Sequence, residues 1–90
     1  MYVNEPKPLS SVEQRRYQDK LVEAFSELEE FPVTTSGDLD ALCKSYSQKI
    51  VYRSLVEVCG RRRVIQELGS VLGSEEVVRM QVSVLCREDE

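Results

Sequence analysis

The stretch "SEEVVRMQVSVLC", residues 74–86, decides between two architectures. Ser74 followed by Glu75 and Glu76 is a good helix start, because a serine hydroxyl caps orphan amides and carboxylates complement the positive pole of a helix. Yet Val78, Met80, Val82, Val84 and Cys86 alternate with mostly polar residues, and a period of two is the signature of a half-buried strand. A strand needs a partner for its backbone amides and carbonyls. The candidates are the β-branched stretch "KIVYRSLVEV" (49–58) or the same segment of a second chain. The remainder of the sequence reads as helix, so the expected fold is all-α, a small bundle of three to five helices. The alternative is α+β, helices with a C-terminal strand at about 77–86 pairing within the chain or across a dimer.

Working back from that segment, Val64, Ile65, Leu68, Val71 and Leu72 form a helical face between Gly60 and Gly73, two natural stops. Between Asp38 and Cys59 lie two apolar stripes: Leu39, Leu42, Cys43, Tyr46 and Ile50, then Tyr52, Leu55, Val56 and Cys59. At 100° per residue these stripes point roughly 160–200° apart. The segment is therefore either one central helix sandwiched between neighbours or a chain broken near Val51. Upstream, Thr35 or Ser36 is a suitable N-cap, with Asp38 and Asp40 in the following turn. A further amphipathic helix carries Tyr17, Leu21, Val22, Phe25 and Leu28, with Ser10 and Glu13 at capping-box spacing and Pro32 closing the connection. Pro6 and Pro8 restrict the opening residues to extended conformations. The organisation expected is an extended arm at 1–9, a single helical domain at 10–87 and an acidic tail at 88–90.

Ninety residues suffice for one core, which buries only about 60–65% of the surface that the unfolded chain exposes. No apolar run approaches the roughly 20 residues that cross a bilayer, and the opening "MYVNEPKPLSSVEQRRYQDK" lacks the order of a secretory signal. The expected setting is intracellular, cytoplasmic or nuclear, with no membrane association. Cys43, Cys59 and Cys86 are odd in number, widely spaced and set among apolar residues, and the chain has no histidine. They read as small hydrophobes, without the spacing of a zinc site or a disulfide framework.

Catalytic candidates are few. Ser45 and Lys49 are four apart; Asp38 with Asp40, and Glu27 with Glu30, form carboxylate pairs. Solvated helix faces and capping account for all three. The glycine spacing matches neither phosphate-binding loop. Gly69 and Gly73 form a small-xxx-small pair that reads as helix packing or helix termination. No catalytic residue, metal or cofactor is expected.

Charge is distributed unevenly. Residues 44–63 hold six basic side chains against one acidic, net +5, while the rest of the chain holds six basic against fifteen acidic, net −9. Arg61, Arg62 and Arg63 are consecutive within the basic segment. "QELGSVLGSEEVVRMQ" (66–81) resembles the E-L-small-x-x-L-G turn of repressor-type helix-turn-helix domains, with Leu68, Gly69, Leu72 and Gly73 in order. That resemblance implies a nucleic-acid-binding regulator whose last helix enters the major groove. The turn is one residue short, and Glu75 and Glu76 stand at the end that approaches phosphate. Arginine also suits protein interfaces, where its planar fork grips carboxylates. The function expected is a non-enzymatic protein–protein interaction module, an adaptor or a small regulatory or self-assembling subunit, binding another protein or itself. Lys49, Arg53, Arg61, Arg62 and Arg63 would steer the partner, and Val78, Met80, Val82 and Val84 would seat it.

Overall fold

The alternating segment is helical in the structure, a computed structural model that describes residues 11–86. Five helices follow one another, α1 (Ser11–Ser26), α2 (Ser36–Ser45), α3 (Gln48–Cys59), α4 (Arg61–Leu72) and α5 (Glu75–Leu85), with no strand among the described residues. The arm at 1–9, the Ser10 cap and the tail at 88–90 lie outside that range. The α+β alternative is thereby corrected, and the reason is geometric. On a helix, residues two apart point about 160° away from each other, so strict alternation splits into two opposed stripes. One stripe, Val78, Val82 and Cys86, is buried in the core; the other, Val77, Met80 and Val84, faces outward. The Ser74 hydroxyl accepts from the Val77 N–H at 3.3 Å, and Glu75 and Glu76 occupy the first turn. Local capping and one complete apolar stripe favour helix, whereas the residues that could have paired with a strand are committed to α3.

α3 is the central element and packs against all four other helices. Ile50, Val51, Tyr52, Ser54 and Leu55 are buried on it, a spread wider than one stripe because the helix is surrounded. Both sequence alternatives thus hold in part: the chain breaks, and the second piece is sandwiched. The break falls at Tyr46 and Ser47, upstream of Val51. There the Tyr46 N–H donates to the Leu42 carbonyl, closing α2, and the Ser47 hydroxyl accepts from the Ile50 N–H at 3.3 Å, opening α3. Ser47 adopts φ 139°, a value that few non-glycine residues take, so the turn is held by its cap and by the packing on either side.

α1 contributes Leu21 and Phe25 to the core, and the Ser54 hydroxyl of α3 donates to the Gln18 carbonyl of α1 at 3.5 Å. The helix ends at Ser26, well before Pro32. The Leu28 N–H donates to the Phe25 carbonyl at 3.0 Å, and the chain then runs irregularly so that Phe31 and Val33, two residues apart, both enter the core. Leu28 is left exposed by that early end. α2 begins with a reciprocal cap: the Thr35 hydroxyl accepts from the Asp38 N–H, and the Asp38 carboxylate accepts from the Thr35 N–H, both at 3.2 Å. The Thr34 hydroxyl and N–H also donate to that carboxylate, at 2.9 and 3.3 Å, and the Thr34 bonds foremost hold the Asp38 carboxyl below its ordinary value.

Candidate functional site

The nine residues singled out in the sequence do not form one surface. Val78 and Val82 are 0% and 2% exposed and belong to the core beside Val64 and Leu68, so neither is available to a partner. Met80 and Val84 are 69% and 57% exposed, and Val77, which the alternating reading passed over, is 48% exposed. These three side chains follow i, i+3, i+7 spacing and make an apolar seam along the outer face of α5. A helical reading of residues 74–86 finds Val77 at once. A strand reading places it on the wrong face.

The arginine triplet opens α4, with Gly60 as its N-cap and no side-chain cap bond. Three consecutive helical residues diverge by 100° each, so the three side chains leave in three directions. Arg61 donates to the Cys86 carbonyl at 3.1 Å and satisfies the C-terminal end of α5. Arg61 also lines a cleft of about 230 Å³ with the half-buried Arg53 and with Glu57. The Gln18 amide donates to Glu57 at 2.7 Å across the mouth of that cleft. Arg62 lines a groove of about 410 Å³ between α4 and α5, shared with Ile65, Gln66, Glu75 and Arg79. Arg63 turns to the opposite flank of α4, where a second cleft of about 410 Å³ holds Glu29, Glu30 and Glu67 over Phe31 and Val71.

Lys49 lies half-buried in the first turn of α3, one turn before Arg53, while Ser45 ends α2, so Ser45 and Lys49 do not share the helical turn that their spacing suggested. Lys44 pairs with Asp40 at 3.2 Å, both well exposed, an arrangement of little energetic consequence. Among the described residues, none of Arg53, Arg61, Arg62, Arg63 and Arg79 has a carboxylate at ion-pair distance. Arg79 was missed in the sequence because it stands outside the basic segment; the fold brings it to the same groove as Arg62.

Reactive chemistry is weak on this surface. Burial pushes the Cys43 thiol up, with Asp40 adding to the effect, and burial raises the Cys86 thiol against the opposing charges of Arg61 and Arg53. Both are protonated at neutral pH, and a thiol is a poor nucleophile. The Tyr52 hydroxyl is also raised by burial. No cluster of three potential metal ligands occurs among the described residues. No helix there is long and apolar enough to cross a membrane.

Comparison with known proteins finds no protein-family model, no curated protein and no solved structure that matches this chain.

Proposed function

We propose that this chain is a protein-binding module that works by stoichiometric association through the outer face of α5. The observation that carries this reading is the seam of Val77, Met80 and Val84, three apolar side chains left exposed on an eleven-residue helix. An apolar stripe of this kind supplies affinity to a recognition surface once water leaves it. An adaptor, a regulatory subunit and a self-assembling subunit all use this chemistry.

The test is site-specific photocrosslinking. A photoreactive side chain replaces Met80 in one variant and Ala41, exposed on α2, in a second; each is irradiated in native extract at matched concentration. Discrete protein adducts at position 80 and none at position 41 support the reading. Equal labelling at both positions removes it.

A second reading, a helix-turn-helix-like nucleic-acid regulator, draws on α4 and α5 meeting at Gly73 and Ser74 and on three arginines with no carboxylate at ion-pair distance among the described residues. Against it, the first turn of α5 carries two exposed carboxylates, Glu75 and Glu76, at the end that would meet phosphate. Duplex binding that weakens steeply with added salt and vanishes in the triple Arg61, Arg62, Arg63→Glu variant would favour this reading over the first.

A further inference from the structure

We infer that the α2–α3 turn is a hinge through which two copies of this chain exchange their α1–α2 halves, α2 and α3 joining into one continuous helix over 36–59. This goes beyond the protein-binding reading and makes no use of the α5 face. Among the described residues Ser47 is the one non-glycine at positive φ. At φ 139° and ψ 153° it occupies a region that is populated almost solely by glycine. The fold imposes that strain and the local sequence does not. Residues 38–59 contain neither glycine nor proline, so nothing in them stops a helix from running through. The connection is only Tyr46 and Ser47, and a short hinge under strain favours exchange because straightening it relieves every copy.

The division of the core fixes what is exchanged. α1 and α2 each pack chiefly on α3, whereas α3 packs in turn on α4 and α5, which pack on each other. Opening the hinge carries the first two helices away together and uncovers Leu21, Phe25 and Leu39 on one side and the buried residues of α3 on the other. One open copy leaves these surfaces in water; a second open copy offers the same surfaces, so the contacts of the closed monomer re-form between chains. At the hinge, the Ile50 N–H trades the Ser47 hydroxyl for the Tyr46 carbonyl four residues back. The two apolar stripes of residues 39–59, which point roughly 160–200° apart on a straight helix, then face two different lobes, one at each end.

The experiment refolds the full chain at high concentration, unlabelled and 15N-labelled copies together, and separates monomer from dimer by size exclusion. The strain is counted twice per dimer, so S47G, which relaxes the closed turn and weakens a continuous helix, should lower the dimerisation constant at least tenfold, roughly. S47A keeps the strain, loses the cap and favours helix, and should raise the constant about tenfold. Circular dichroism confirms that each variant is folded. The Gln18 amide donates to Glu57 at 2.7 Å between α1 and α3, so in Q18K a zero-length carbodiimide can join position 18 to Glu57. In the isolated dimer that link is expected to join a labelled peptide to an unlabelled one. A chain that stays monomeric even as S47A, or equal dimerisation of S47A and S47G, overturns the inference. A dimer whose 18–57 link remains within one chain overturns it too, and leaves the protein-binding reading through α5 untouched.

Discussion

Two junctions flank α4, and they are built on opposite principles. At the α4–α5 junction every local rule is obeyed. Gly73 ends α4 in the left-handed conformation, φ 80° and ψ 11°; Ser74 caps α5; Glu75 and Glu76 complement its dipole. Gly69 adds close packing, for a Cβ there would lie 2.5 Å from Glu75 Cγ and 2.9 Å from Glu75 Cα. At the α3–α4 junction the electrostatics run the other way. Gly60 serves as C-cap of one helix and N-cap of the next, no side chain caps α4, and three arginines bring positive charge to its positive pole. Each such charge opposes the dipole by about 0.3–1 kcal/mol. A stabilising arrangement at one end of a helix and a destabilising one at the other, within twelve residues, shows that the triplet sits where the helix dipole disfavours it.

The largest expected effect attacks the well-built junction. Gly69→Leu forces α4 and α5 apart against the Glu75 backbone and should cost about 3 kcal/mol, read as a lower midpoint in urea at unchanged slope. Retention of the wild-type midpoint would show that the helices do not approach as closely as described. Next, Gly60→Ala meets no neighbouring atom within 4 Å but sits at φ 88° and ψ 152°, a region essentially restricted to glycine. Its expected cost is about 2 kcal/mol from backbone strain alone. Ser74→Ala loses one capping bond and about 1 kcal/mol, and Ser74→Asp restores it. The smallest change is the most informative, because its sign is reversed: Arg62→Glu should raise stability by about 0.3–1 kcal/mol. Thermal unfolding of that variant sharpens the contrast directly, and a fall in melting temperature would mean that Arg62 has a structural task.

These outcomes also measure what the residues disclose in advance. The helical class, the Thr35 and Ser74 caps, the Gly73 stop and the packing role of Gly69 are legible because each follows from local chemistry at one or two positions. Residues 74–86 are ambiguous because two opposed helical stripes imitate a strand in one dimension, and only burial against α3 and α4 tells them apart. The break at Tyr46 and Ser47 was placed too late because it depends on a serine held at φ 139°, which no composition rule anticipates. For the candidate surface the loss was greater. Val78 and Val82 are core, and Arg79 and Val77 lie on the surface outside the residues that alternation and the basic segment mark. On α5 the difference descends from helical phase, which fixes where each side chain points and is hidden while the segment reads as a strand.

Gly60 has a further bearing on how this molecule can vary. Since one residue both closes α3 and opens α4, the junction has no slack, and a single inserted residue would turn α4 through about 100°. Val64 and Leu68 would rotate out of the interior, and each arginine would inherit the bearing of its neighbour. The run from Glu27 to Glu30, by contrast, is exposed and has room to lengthen ahead of the buried Phe31. Tolerance of insertion should therefore differ sharply between the two connections, and length at the glycine joint should be under tighter constraint than the identity of almost any exposed side chain.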